Sequence, residues 1–130
     1  MTATTHKGSC HCGTVRFTAG LDLGKGSVRC NCSICAKKRM WLAMTEPDSF
    51  HLDAGGDALT TYTFGAERIQ HRFCATCGVQ VMAEVPGKGT VVNLSALDDL
   101  SPADRADIAI HYLDGANDIF DRPPAVTSYL

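Results

Sequence analysis

Seven cysteines in three groups carry the chemistry of this sequence: Cys10-His11-Cys12, then Cys30-Asn31-Cys32-Ser33-Ile34-Cys35, then Cys74-Ala75-Thr76-Cys77. Zinc takes four tetrahedral ligands with sulfur at about 2.3 Å, and a chain commonly supplies them as close pairs on tight turns brought together by the fold. Cys74 and Cys77 have the spacing of a zinc knuckle. Gly78 follows directly and permits the positive φ that curls such a turn, so that backbone amides point at sulfur. Their two further ligands come from Cys10 with Cys12 or from the middle triplet. Pairing with Cys10 and Cys12 is the economical choice, because it closes one four-thiolate site and ties the first strand to the middle of the chain. Cys30, Cys32 and Cys35 then form their own set. They lie within one tight turn and can reach a single ion, but three ligands leave zinc a free corner for water or substrate, which is the pattern of catalysis.

Other readings of the triplet stay open. A fourth ligand such as His51 or His71 would turn it into a second structural site. A redox dithiol at Cys32 and Cys35 also has suitable spacing. Thioredoxin-like motifs, however, open a helix after a parallel strand, and no βαβ unit is suggested here.

The elements that must position these groups are short and β-rich. Thr14-Val15-Arg16-Phe17-Thr18 and Arg68-Ile69-Gln70-His71-Arg72-Phe73 alternate with period two, which places one face on a core and one in water and predicts antiparallel strands. Further strands are predicted over 40–45, 50–52, 59–64, 79–85, 90–94 and 108–113, separated by Gly55-Gly56, Gly65 and Pro86-Gly87. The one convincing helical signal starts at Ser101, whose hydroxyl can cap a turn opened by Pro102 with Asp104 near its positive end. After Arg122-Pro123-Pro124 the tail is expected to cross the surface as an extended strap. Trp41, Met40 and Met44 are expected in the core. His11 and His111 are expected on the surface.

With 130 residues the chain fits one domain, 1–130. Its formal charge of −2 is scattered along the sequence and gives no field for nucleic acid or an anionic membrane. No stretch approaches the roughly 20 apolar residues of a membrane helix, and the polar start has no signal-peptide core. The expected compartment is therefore cytoplasmic, where reducing conditions leave thiolates free for metal or catalysis. An odd cysteine count agrees. Whether copies of the chain associate as a homo-oligomer is left open.

The order Gly8-Ser9-Cys10-His11-Cys12-Gly13-Thr14-Val15-Arg16-Phe17, Cys30-Asn31-Cys32-Ser33-Ile34-Cys35 and Arg72-Phe73-Cys74-Ala75-Thr76-Cys77-Gly78 resembles the glutathione-dependent formaldehyde-activating enzymes, a family that includes centromere protein V-like proteins. The resemblance implies a mainly β fold, with antiparallel sheets in a tent arrangement. It also implies two zinc ions: a structural one on Cys10, Cys12, Cys74 and Cys77 and a catalytic one on Cys30, Cys32 and Cys35. The implied activity is that of a carbon-sulfur lyase resembling S-(hydroxymethyl)glutathione synthase, with glutathione as co-substrate and a small aldehyde as partner. A non-catalytic interaction or chaperone-like zinc module of the same fold is the alternative. One segment departs from the family: His111-Tyr112-Leu113-Asp114-Gly115-Ala116-Asn117-Asp118 lacks the lysine and tryptophan that many relatives carry after a histidine-containing strand.

A thiolate substrate approaching three protein thiolates needs positive charge nearby. Lys37, Lys38 and Arg39 directly follow the triplet, and a tripeptide with two carboxylates would suit such a rim. Arg72 could clamp a carboxylate bidentately or brace the knuckle beside it.

Overall fold

The computed structural model describes residues 3–130. Two sheets form the molecule. The smaller has three strands in the order β1-β2-β5 (Thr4–Ser9, Arg16–Leu21, His51–Ala54), all antiparallel. In β2, Phe17, Ala19 and Leu21 are buried while their neighbours face outward, as the period-two alternation predicts. The larger sheet has seven strands in the order β10-β3-β4-β9-β8-β7-β6. Their bounds are Ile110–Leu113, Ser27–Cys30, Leu42–Met44, Gly89–Asn93, Gln80–Val85, Gln70–Cys74 and Leu59–Tyr62.

This sheet is mixed rather than wholly antiparallel. Strands β3 and β10 pair in parallel, with Ser27 opposite Ile110 and Cys30 opposite Leu113. Long-range pairing of this kind leaves no local signature, since a parallel neighbour arrives through a distant crossover rather than a hairpin. Among the described residues two α-helices accompany the sheets. The second, α2 (Pro102–Ala106), starts as expected at Ser101, with Ser101 and Asp104 forming a reciprocal capping box. The first, α1 (Ser33–Lys38), corrects the reading of the cysteine triplet as a simple turn.

The core lies between the sheets. Val15, Phe17, Ala19 and Leu21 pack with Trp41, Val81, Met82, Val92, Leu94 and Leu97, all nearly inaccessible to water. Complete burial of aliphatic and aromatic side chains of this size contributes about 1.5 to 3 kcal/mol each. Trp41 and Met40 are buried as expected, but Met44 is 45% exposed. Along β4 the buried residue is Ala43, so the alternation turns its neighbour Met44 outward. The buried indole Nε1 of Trp41 donates to Ser27 Oγ at 2.7 Å, and that hydroxyl donates onward to the Ala109 carbonyl at 2.8 Å. This chain of bonds satisfies every polar atom of the buried pair and braces β3, the strand that ends at Cys30.

Beyond Arg122 the chain forms no strand or helix, in keeping with the strap expected there. Its end is held down by Leu130, whose side chain is buried. Among the described residues no helix is long and apolar enough to cross a membrane.

Candidate metal centre and thiol site

Two like-shaped turns build the first cluster, one from each sheet. Cys10 directly follows β1. Its N–H donates to the Val15 carbonyl at 3.0 Å, while Gly13 N–H donates back to the Cys10 carbonyl at 3.1 Å. Cys74 closes β7, where its N–H donates to the Val79 carbonyl at 3.0 Å and Gly78 N–H donates to the Cys74 carbonyl at 2.8 Å. Gly13 and Gly78 both have φ of +79°, a left-handed conformation that glycine adopts without a Cβ penalty. Each turn thereby aims backbone amides at sulfur. Val15 N–H lies 3.3 Å from Cys10 Sγ, and Thr76 N–H lies 3.4 Å from Cys74 Sγ.

The four sulfurs of Cys10, Cys12, Cys74 and Cys77 all lie within 4.8 Å of one another. Cys10 and Cys12 are 3.6 Å apart at sulfur, and Cys12 and Cys74 are 3.7 Å apart. A tetrahedron with zinc-sulfur bonds of about 2.3 Å requires edges of roughly 3.8 Å. The donor set fits one zinc ion and staples the three-stranded sheet to the seven-stranded one. Amides facing sulfur also favour thiolate: the Cys77 thiol is pulled down to about 6, first by the Cys12 amide and then by that of Val79. Burial works the other way on Cys10 and raises its pKa. A cation bound among the four would offset that cost.

The second set of cysteines spans a strand end and a helix start. Cys30 ends β3, Cys32 is the residue that precedes α1, and Cys35 lies in its first turn. Cys30 is buried, and Cys32 and Cys35 are half-buried. Cys32 N–H faces Cys30 Sγ at 3.4 Å. The Cys32 thiol is pulled down to about 5, first by the neighbouring Cys35 thiol, with burial opposing and the amides of Cys35 and Ile34 adding to the fall. Cys35 moves up, because the low Cys32 partner and burial both favour its protonated form. Cys32 thus opens a helix after a strand whose parallel neighbour is β10, but the strand that follows α1, β4, runs antiparallel to β3, so no βαβ unit forms, as expected.

The triplet is looser than the first cluster. Among the described residues, only Cys10, Cys12, Cys74 and Cys77 gather three or more candidate ligand atoms within 4.8 Å. His51 lies exposed on β5. His71 is buried with its ring stacked on Phe64 at 5.5 Å between centroids. Neither histidine joins a ligand group with the triplet.

The basic residues separate clearly. Lys38 Nζ donates to Gln80 Oε1 at 2.6 Å and sits 5.7 Å from the centre of the Phe73 ring. Its cation is close enough to be felt by both Cys35 and His71. Partial desolvation lowers its pKa, while the Cys35 sulfur opposes that fall. Arg39 adopts a left-handed conformation after α1, accepts from Arg29 Nη1 at its carbonyl at 3.2 Å, and reaches the Leu130 carbonyl at 3.5 Å. Lys37 is exposed. Arg72 alternates with His71 and Phe73 along β7 and so projects from the opposite face to the one Lys38 covers. Its Nη2 donates to Gln70 Oε1 at 2.8 Å and pairs with Glu84 at 3.4 Å, which braces the strand. Of the four cations, only Lys38 is brought to the triplet and to an aromatic face together.

Gln80 and Phe73 carry no cysteine-like motif. Only the pairing of β7 with β8, which sets Phe73 opposite Gln80, reveals that they share the face beside the triplet. His11 and His111 are exposed, as expected.

The sequence model of the glutathione-dependent formaldehyde-activating enzymes matches residues 5–113 of this chain. A crystal structure of a Rhodobacter sphaeroides protein is similar to it at 29% sequence identity with a TM-score of 0.71, covering 80% of this chain and 98% of that one.

Proposed function

The chain belongs to the glutathione-dependent formaldehyde-activating enzyme family, and we propose that it joins glutathione, or a similar thiol, to a small aldehyde, or releases the two from their adduct. The observation that carries this reading is the second set of sulfurs. Cys30, Cys32 and Cys35 stand apart from the closed cluster, beside a lysine that touches an aromatic face. In the joining direction one carbon-sulfur bond forms, the carbonyl π bond breaks, and the thiol proton ends on the new hydroxyl oxygen. The reverse reaction is a carbon-sulfur lyase step.

Zinc held by Cys30, Cys32 and Cys35 would supply a Lewis acid with one position free for a substrate sulfur or carbonyl oxygen. The protein groups around it do the rest. The Cys32 amide faces the Cys30 sulfur, which lowers the cost of charge on a buried donor. Lys38 offsets the negative charge of three thiolates and offers an ammonium to a substrate carboxylate. Gln80 holds that ammonium in place, and the Phe73 ring lies within cation-π range. Lys37 and Arg39 form the outer rim, available to a second carboxylate by charge alone. The site is proposed to act in a cytoplasmic setting, where the thiols stay reduced.

A non-catalytic zinc module is the competing reading, favoured by the looser gathering of the triplet sulfurs relative to the closed cluster. Zinc content combined with X-ray absorption separates the two. The enzyme reading expects two ions per chain, one of them with three protein sulfurs. Four protein ligands at both ions, or a single ion per chain, would leave no open position and reject it.

A further inference from the structure

The turn that follows β10 lies outside the segment shared with the family, which ends at residue 113, yet it presses directly on the triplet. Gly115 sits so close to Cys30 that a methyl group at its Cα would stand 2.6 Å from Cys30 Sγ and 3.0 Å from Cys32 Cβ. Its amide faces the Cys30 sulfur. No left-handed conformation requires glycine here, since Gly115 is not among the positive-φ residues. Proximity to sulfur alone demands the missing side chain.

A polar network holds this turn in place, and it is anchored on the residue between two of the cysteines. Asn31 Nδ2 donates to Asp114 Oδ1 at 2.8 Å, and Asn31 Oδ1 accepts from the Ala116 N–H at 2.9 Å. Asn117 Nδ2 donates to both Asp114 oxygens, at 3.2 and 3.0 Å. The Asn31 N–H donates to the Leu113 carbonyl at 3.2 Å, and Asp114 and Ile119 exchange backbone bonds at 3.0 Å. Asp114 is only 8% exposed, and its carboxyl pKa is held down first by Asn117 and then by Asn31. A nearly buried carboxylate bonded within the turn to Asn117 and across to Asn31 fixes the turn against the end of β3.

We propose that Asn31, Asp114 and Gly115 are positioning residues of the thiol site: the Asn31–Asp114 pair seats Gly115 against Cys30 and so fixes the direction in which the Cys30 sulfur points. The inference rests on reading the triplet as a metal site. It assigns a task to a segment that lies beyond residue 113, where the family match ends. Beyond the matched residues this chain carries a hydrogen-bonded turn that touches a ligand sulfur. Groups that orient a metal ligand typically change metal affinity by about 10- to 100-fold when removed.

The test is a cobalt(II) titration of the full chain, read by thiolate-to-metal absorption, for wild type, Asp114→Ala, Asp114→Asn and Gly115→Ala. Two equivalents bind to wild type. In Asp114→Ala and Gly115→Ala the second equivalent weakens by about 10- to 100-fold while the first, in the closed cluster, is unchanged and reports an intact fold. Asp114→Asn keeps one oxygen for Asn31 and recovers most of the affinity. A second equivalent as tight as wild type in both Asp114→Ala and Gly115→Ala overturns the proposal. Alkylation of Cys30 by iodoacetamide, followed by peptide mass spectrometry with one equivalent of metal present, gives an independent reading. Cys30 is protected in wild type and reacts several-fold faster in Asp114→Ala. Equal rates overturn the clamp even if wild type takes a single ion, an outcome that would reject the metal reading of the triplet instead.

Discussion

Cys12 Sγ lies 3.7 Å from Cys74 Sγ across a sequence separation of 62. The contact joins the turn after β1 to the turn after β7 and so fastens one sheet to the other. Structural zinc sites contribute apparent binding free energies of about 10 to 16 kcal/mol, comparable with the entire stability of a typical domain, about 5 to 15 kcal/mol. Cys74→Ser is therefore expected to lose one zinc and the cooperative unfolding transition together, as read by metal analysis and circular dichroism. A folded, zinc-depleted Cys74→Ser protein would show that the core between the sheets suffices without the staple.

Lys38 and Arg72 make a contrasting pair. Lys38 shares a face with Phe73 and Gln80 beside Cys35, whereas Arg72 is occupied by Gln70 and Glu84 on the other side of β7. Replacing Lys38 with Met is expected to raise KM for glutathione by about fivefold with little change in kcat, because a partly exposed ion pair contributes up to about 1 kcal/mol. Arg72→Met should leave KM alone and lower thermal stability modestly. Equal effects from both substitutions would place the carboxylate site elsewhere.

His71 supplies a pH signature. It is buried, its Nε2 has no hydrogen-bond partner, and its pKa is held below the usual value, first by burial and then by the Lys38 cation. On acidification the unfolded chain takes up this proton before the folded one does. The stability His71 contributes is thus complete above pH 6.5 and falls as pH drops from there toward the folded-state pKa, levelling off below it. His71→Phe removes that component, so the difference in Tm between variant and wild type should shift in favour of the variant as pH falls below 6.5. A difference independent of pH would mean that His71 protonates equally in both states.

The buried bond from Trp41 to Ser27 tests how β3 is held. Ser27→Ala alone leaves the indole N–H without a partner, at a cost of about 1 to 3 kcal/mol. Trp41→Phe alone removes the donor and leaves the hydroxyl its bond to Ala109. A double-mutant cycle by urea denaturation should give a coupling of about 1 kcal/mol. Zero coupling would mean that packing alone retains Trp41.

Much of this architecture was legible because alternation is a local signal. Phe17, Ala19 and Leu21 are buried in β2 as its period-two pattern predicts, whereas the buried residues of β7, His71 and Cys74, lie three apart and so face opposite ways. The cap at Ser101 was equally local. Strand β1 escaped notice because Thr4, Thr5 and Lys7 are exposed, while its buried residue is Gly8, which packs on the Phe17 ring. Strand β3 was hidden by Ser27, a polar residue made tolerable inside by the Trp41 indole. Helix α1 was hidden by the cysteines themselves, since Cys32 provides no side-chain cap and the turn spacing dominates the pattern. The four-sulfur cluster followed from spacing and coordination arithmetic. The grip of Gly115 on Cys30 did not, because it depends on the parallel pairing of β3 with β10, which is fixed only when the sheet assembles.

The most direct test of the central claim is exchange NMR of formaldehyde with glutathione. Wild-type protein should accelerate exchange above the spontaneous rate, and Cys32→Ser should abolish the acceleration while keeping its closed-cluster zinc and its unfolding transition. A wild-type rate equal to the spontaneous one, or full acceleration by Cys32→Ser, would contradict the assignment of Cys30, Cys32 and Cys35 as the thiol-handling site.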